Sequence, residues 1–163
     1  MSPETEPRLA VVPDTPNPGT EILAALYLDP NLLENVTFEF DGTQLDQPYA
    51  RIVSTILRER EKLLDNSGHF DLKLIVSALE QDGPLQQDTL DAVMGADTHS
   101  DPIVAVKLAA RAREKQLLQV LGELANDLAE SPGDKKLQAN KLNIDHEVTE
   151  CRAVIEGDNW EVP

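Results

Sequence analysis

Apolar residues recur at intervals of three and four along most of this chain, which is the period of an amphipathic α-helix. The first such stretch places Ile22, Leu23 and Leu26 on one face. We expect this helix to begin after an N-cap at Thr20, because a threonine hydroxyl can accept hydrogen bonds from the first free amides. Pro30 should end it, since proline lacks the amide hydrogen that a helix needs. The pattern therefore predicts one opening helix between these two positions.

Further helices are predicted before residue 100. One begins at residue 47 or 48 and extends to about residue 65, with Pro48 acceptable at a first helical position. Asp71 is the expected N-cap of a helix over 72–81, and a short helix is expected over 88–94. Between the first two long helices, the pattern predicts a short helix over 31–36. The segment 37–44, TFEFDGTQ, alternates apolar and polar residues and resembles a short β-hairpin fragment.

The longest periodic stretch follows Asp101-Pro102, a strong helix start, and extends to about residue 130. Such a helix would be roughly 40 Å long, which is more than a compact domain of this size needs. After a turn at 131–134, heptad spacing continues until Gly157. An antiparallel helical hairpin with an unpaired apolar seam is the simplest arrangement. The expected protein-interface residues are Leu117, Leu121, Leu124, Leu128, Leu137, Ile144 and Val148.

These elements predict an all-α fold, a compact helical head at 19–98 followed by a long antiparallel helical hairpin at 99–156. The aromatic content is only 4%, so the core must consist of aliphatic side chains, which favours helix packing over a β-sandwich. Five prolines in residues 1–18 predict a disordered leader. Residues 157–163 read as a linker or tail.

The formal net charge is −16, and a surface this acidic repels phosphate. We therefore expect no direct binding of nucleic acid by this chain. The charge suits either solubility alone or a basic protein partner. A single cysteine, no signal peptide and no long apolar run make a cytoplasmic protein without a membrane span the default expectation.

No residues form a convincing catalytic, cofactor or metal site. The eight glycines never approach the spacing of a phosphate-binding loop, so we expect no nucleotide hydrolysis and no enzymatic activity. The histidines share no helical face with one another or with a cysteine, as a metal site requires. Cys151 falls on an apolar helix face, which favours packing over nucleophilic chemistry. The basic residues at the start of the long helix fit ion pairing better than nucleic-acid binding, and they are Lys107, Arg111, Arg113 and Lys115.

The order of elements resembles the N-terminal domain of DnaB-type replicative DNA helicases. The opening helix ends in Leu28-Asp29-Pro30, and an amphipathic helix following Asp71 ends in Ala78-Leu79-Glu80. A long helix with basic residues at 109–115 comes last. The similarity covers residues 20–130 and rests on the order and spacing of motifs that are individually weak. The Gly-Gly-x-x-Tyr-Leu stretch usual before the long helix is absent, with 89–95 in its place, and so is the motor domain.

The resemblance implies a domain that pairs through its hairpin, organises the helicase ring and docks a primase or a helicase loader. The expected function is therefore a non-enzymatic oligomerisation and docking module in DNA replication, forming a homodimer or a higher oligomer. The chain could be part of a longer helicase that carries an ATPase. A stand-alone, phage-type modulator or loader that binds a host helicase or primase is the alternative. A small helical enzyme using clustered carboxylates is a third, different class.

Overall fold

The computed structural model describes residues 17–96 and 101–157, and these residues form six α-helices without a β-strand. The predicted all-α class is thereby confirmed for this part of the chain. Three predicted parts of the chain lie outside the described residues. They are the leader apart from residues 17 and 18, the end of the loop before the long helix (97–100) and the tail 158–163. The helices are α1 (Pro18–Leu28), α2 (Tyr49–Arg58), α3 (Leu72–Glu80), α4 (Gln87–Met94), α5 (Pro102–Glu130) and α6 (Lys135–Glu156).

The N-cap of α1 lies three residues before the expected one. The side chain of Asn17 accepts hydrogen bonds from the amides of Gly19 (2.9 Å) and Thr20 (3.3 Å). Pro18 follows at the first helical position, where its missing amide hydrogen costs nothing. The prediction of Thr20 as the cap was wrong, because asparagine is the stronger capping residue and proline extends the helix backwards to it.

Aspartates begin three of the other helices, and the predicted starts of α3 and α5 are confirmed. Asp71 accepts a hydrogen bond from the amide two residues on, at 2.9 Å, and Asp101 does the same for α5 at 2.9 Å. Asp134 caps α6 in this way after the turn at 131–134. Short polar side chains thus satisfy amides that have no partner inside a helix.

The segment between α1 and α2 differs from both predictions made for it. Residues 31–36 form turns instead of a helix, and 37–44 form no strand. The segment nevertheless carries Phe38 and Leu45, which are buried in the core. Gly42 lies at φ +93°, and a Cβ there would stand 2.6 Å from the backbone nitrogen of Ser54. Close packing against α2 therefore decides the shape of this segment.

Helix α2 was expected to extend to about residue 65, but it ends at Arg58 and a 3-10 turn, Arg60–Leu63, follows. The turn directs Leu63 into the core, where it is only 3% exposed. The carbonyl of Leu63 then accepts a hydrogen bond from the amide of Asp71 at 2.8 Å, so the chain reverses towards α3. The helical pattern of residues 59–65 is therefore overridden, because burial of Leu63 and the reversal of the chain require a different backbone.

One continuous apolar cluster contains residues from all six helices. Helix α1 contributes Ile22, Leu23 and Leu26, each fully buried. It packs on the first half of α5, where Ala105 and Ala109 are also fully buried. The small side chains let the two helix backbones approach closely.

Helices α5 and α6 pack along each other on either side of the turn at 131–134. Only the end of α6 enters the core, through Val148, Cys151 and Val154. No residue of α6 before Val148 is buried, and α5 buries only Leu124 after Leu117. We call α5 and α6 the helix pair, and residues 118–146 its distal part. The distal part is thus stabilised mainly by contacts within the pair.

Candidate docking surface and groove on the long helix pair

The leucine seam predicted from heptad spacing lies between α5 and α6 of one chain. Leu117, Leu124 and Val148 are 4%, 7% and 5% exposed, which is too little to leave an open apolar stripe. The expectation of an unpaired seam was therefore wrong, because the two helices cover each other's apolar faces. The remaining predicted interface residues are half-buried, and they are Leu121, Leu128, Leu137 and Ile144.

Apolar side chains that do face solvent lie beside this seam. Leu142 is 70% exposed, Leu118 is 43% exposed and Val120 is 40% exposed. All three belong to the distal part, so we call them the distal apolar residues. Sequence analysis missed them because they fall outside the heptad pattern. Leu118 and Val120 are two residues apart on α5, so their side chains point to different sides of that helix.

An ion pair joins α5 to α6, and a backbone hydrogen bond links it to the segment between α1 and α2. The guanidinium of Arg113 donates two hydrogen bonds to the carboxylate of Glu147, at 2.7 and 2.8 Å. The backbone amide of Glu39 donates a third hydrogen bond to Glu147, at 2.9 Å. The hydrogen bonds from Arg113 lower the pKa of Glu147, and those to Glu147 raise the pKa of Arg113. The predicted ion pairing of the basic stretch is confirmed at this arginine.

The other basic residues of α5 have a different environment. Among the described residues, no ion pair joins Lys107, Arg111 or Lys115 to a carboxylate. Arg111 and Lys115 are exposed and four residues apart, so they lie on one face of α5. Both of them line a cavity, which the sequence gave no means of finding.

This cavity, which we call the groove, has a volume of about 270 Å³. Its walls come from three separate parts of the chain: residues 17–19 at the start of α1, residues 44–49 before and at the start of α2, and residues 108–115 of α5. Apolar surface is supplied by Leu45, Tyr49, Leu108 and Ala112, and charge by Asp46, Arg111 and Lys115. A second cavity of about 250 Å³ shares Gln44, Asp46, Ala112 and Lys115 with it and continues to Gln119.

Tyr49 is held firmly in the wall of the groove. The hydroxyl of Thr20 donates a hydrogen bond to the tyrosine oxygen at 3.0 Å. Gly19 packs so closely on the ring that a Cβ at this position would lie 2.3 Å from its Cγ. A larger residue than glycine could not occupy this position without displacing the ring. The groove therefore has a preformed aromatic surface.

The candidate reactive groups have ordinary structural environments. Cys151 is completely buried, and burial is the main cause that raises the pKa of its thiol to about 11. His146 lies on the exposed surface, 3.5 Å from Glu150, and His99 falls outside the described residues. Within residues 17–96 and 101–157, no group of histidine, cysteine and carboxylate side chains could hold a metal ion. None of the helices in these ranges has the length and apolar character needed to cross a bilayer.

Comparison with protein-family models, with curated proteins and with solved structures gave no match for this chain. The resemblance to helicase N-terminal domains is therefore carried by the sequence motifs alone.

Proposed function

We propose that this chain is a non-enzymatic oligomerisation and docking module of a replicative DNA helicase, which docks a primase or a helicase loader during DNA replication. The proposal combines the order of sequence motifs with the all-α fold and with the packing of α5 on α6 across a short turn. The observation that carries it is that the distal part, two helices packed on each other, exposes apolar side chains. A helical arm of this kind is suited to pairing with another helical surface.

The assembly surface in this proposal is centred on Leu142, the most exposed of the distal apolar residues, in place of the seam. A twofold contact uses the same surface on both subunits, so the same side chain becomes buried on each of the two chains. Complete burial of a leucine or valine contributes about 1.5–3 kcal/mol. Leu142 is 70% exposed, so its burial on both subunits contributes about 2–4 kcal/mol to pairing, discounted for the part already covered.

Light scattering after size-exclusion chromatography tests the assembly. The wild-type chain should be a dimer or a higher oligomer at high micromolar concentration, and Leu142→Asp should be a folded monomer because the core does not include this residue. Leu74→Asp is the matched control, since Leu74 is 40% exposed on α3, away from the helix pair. A monomeric wild type, or equal weakening by both substitutions, would rule out pairing through the distal part.

Binding to replication proteins tests the docking role separately. Wild type and both variants would be titrated against a purified replicative helicase, its primase and its loader from the same organism. We expect one of the three to bind the wild type and Leu74→Asp, and to bind Leu142→Asp at least about tenfold more weakly, which corresponds to about 1.4 kcal/mol. Absence of binding to all three would contradict the helicase assignment even if the chain dimerises.

A further inference from the structure

The groove and the second cavity beside it form one continuous depression along α5, which we call the extended groove. Their volumes are about 270 Å³ and about 250 Å³, and they share Ala112 and Lys115 of the helix. The α5 wall extends from Leu108 to Gln119, about 16 Å along the helix axis. Five residues of an extended chain span about the same length. A compact small molecule would fill only one of the two cavities, so this length favours an extended peptide.

The chemistry of the extended groove changes along its length. One end is apolar and is lined by Leu45, Tyr49 and Leu108. The cations Arg111 and Lys115 follow on α5, about 4.5 and 10.5 Å beyond Leu108 along the axis. The other end is lined by hydroxyl and amide side chains, and these are Thr43, Gln44, Gln116 and Gln119. The two axial distances correspond to about one and about three residues of an extended chain. A complementary peptide therefore has a large apolar residue with carboxylates one and three positions from it.

The two cations of this groove are available to a ligand. Arg111 and Lys115 are exposed, and no carboxylate of residues 17–96 or 101–157 pairs with either of them. Like charges four residues apart on a helix repel each other, and a carboxylate bound beside them would relieve this repulsion. The net charge of −16 opposes an acidic ligand only weakly here, because physiological salt screens charges beyond about 8 Å. Among the lining residues, cations outnumber carboxylates two to one, so the local charge favours an anion.

Asp46 in the opposite wall distinguishes a peptide from a nucleic acid. Among the described residues, no hydrogen bond or ion pair engages its carboxylate, which therefore remains an acceptor. A peptide backbone supplies N–H donors to such an acceptor, whereas phosphate groups would be repelled by it. Binding of single-stranded nucleic acid also requires a positively charged groove that follows the backbone, and two cations provide little of it.

Hydrogen bonds hold the walls of the extended groove in place at both ends. At the apolar end, Thr20 donates to the oxygen of Tyr49 at 3.0 Å. At the polar end, the side-chain amide of Gln44 donates to Gln116 of α5 at 3.1 Å. A site that is already formed loses less conformational entropy when a ligand binds.

We propose that the extended groove binds an acidic peptide segment of a partner protein. A large apolar side chain of the peptide packs against Tyr49, and its carboxylates accept hydrogen bonds from Arg111 and Lys115. Asp46 accepts a hydrogen bond from the peptide backbone. This contact is separate from the distal part, and it does not rest on the proposed role in a helicase.

Nuclear magnetic resonance of the isotope-labelled, full-length chain tests the proposal. The probe is the synthetic peptide acetyl-Gly-Phe-Glu-Ser-Glu-Gly-amide, and a peptide of reversed order covers the opposite chain direction. We expect one of them to bind saturably, with a dissociation constant below about 1 mM, and to shift the amide signals of 44–49 and 108–119 most. Replacing its phenylalanine with serine, or both glutamates with lysine, should weaken binding at least about tenfold.

Charge is tested by substitutions in the protein. Arg111→Gln combined with Lys115→Gln should weaken binding of the peptide at least about tenfold, because both charged donors are lost. Lys135→Gln with Lys136→Gln is the matched control, since it removes the same charge from exposed residues at the start of α6. The control should change the affinity by less than about twofold. Circular dichroism verifies that all variants keep their helical content.

Two further variants separate shape from charge and this contact from chain pairing. Ala112→Phe fills the groove without changing its charge, and it should also abolish binding of the peptide. Leu142→Asp should bind the peptide as the wild type does, because Leu142 does not line the extended groove. Failure of pairing and failure of peptide binding are therefore distinguishable.

Several outcomes would overturn the proposal. They include no saturable binding of either peptide, and affinity that survives Arg111→Gln with Lys115→Gln. Equal affinity for N-acetyl-phenylalanine would make the groove a small-molecule site, and tighter binding of an oligothymidylate at these residues would assign it to nucleic acid. Peptide binding that strengthens when the protein is diluted would assign the groove to a second copy. Peptide binding that strengthens on Leu9→Ser with Val11→Ser would assign it to the leader.

Discussion

Replacing Glu147 with glutamine should lower the free energy of unfolding by about 2 kcal/mol. Glu147 accepts two hydrogen bonds from Arg113 and one from the backbone amide of Glu39, at 2.7–2.9 Å. Hydrogen bonds to charged groups contribute about 1.5–3 kcal/mol, and breaking a fully buried ion pair costs about 3–5 kcal/mol. The side chains of Arg113 and Glu147 are still 17% and 19% exposed, and glutamine keeps one acceptor oxygen. The lower part of these ranges therefore applies.

Urea unfolding followed by far-ultraviolet circular dichroism measures this loss, and a thermal midpoint about 4–8 °C lower should accompany it. Asp145→Asn is the matched control, because it removes one carboxylate from the same helix. Asp145 pairs with Lys141 at 2.8 Å, but these side chains are 43% and 50% exposed. Exposed pairs four residues apart on a helix contribute about 0.3–0.5 kcal/mol. If the two substitutions cost the same within about 0.5 kcal/mol, the Arg113–Glu147 pair does not stabilise the domain as argued.

Three further outcomes are expected. The hydrogen bonds from Arg113 hold the pKa of Glu147 in the folded protein below its usual value of 4.5. The stability difference between wild type and Glu147→Gln should therefore persist at neutral pH and shrink as the pH falls through this folded pKa. Urea titrations between neutral pH and pH values below 4.5 measure the change. Cys151 should react with Ellman's reagent only at the rate of unfolding, because its thiol is buried and its pKa is raised to about 11. Gly42→Ala should lower the free energy of unfolding by at least about 2 kcal/mol, because the positive φ and a clash with the backbone of α2 both oppose a Cβ there. Gly68→Ala should lower it by about 1 kcal/mol, because only the positive φ opposes the substitution. Denaturation curves of the two variants measure the difference.

The helices could be predicted from the sequence because their signals are local. Asp71 and Asp101 stand directly before apolar periodic stretches, and Gly157 follows the last one, so their structural roles depend on immediate neighbours. The connection at 31–44 could not be predicted, because Phe38 and Gly42 adopt their positions through contacts with residues far along the chain. Local alternation of apolar and polar residues gave the wrong structure there, since tertiary packing determines the backbone.

The candidate sites were harder to predict than the helices. Heptad spacing indicates that Leu117 and Leu124 must be covered, but it is equally satisfied by a second subunit and by the following helix of the same chain. The groove brings together residues 17–19, 44–49 and 108–115, which no sequence motif links. The cations of α5 were visible in the sequence. Only the structure shows that Arg113 has a carboxylate partner while Arg111 and Lys115 line a cavity.

The length of this helix pair is adjustable, because no residue between Leu124 and Val148 is buried. Inserting seven residues into α5 and seven into α6, on opposite sides of the turn at 131–134, keeps the apolar seam in register because the seam repeats every seven residues. Each such double insertion lengthens the pair by about 10 Å. The core from Ile22 to Val106 and the ion pair at Arg113 lie outside the altered region. A chain altered in this way should therefore extend further by whole heptads and keep the same domain at its base.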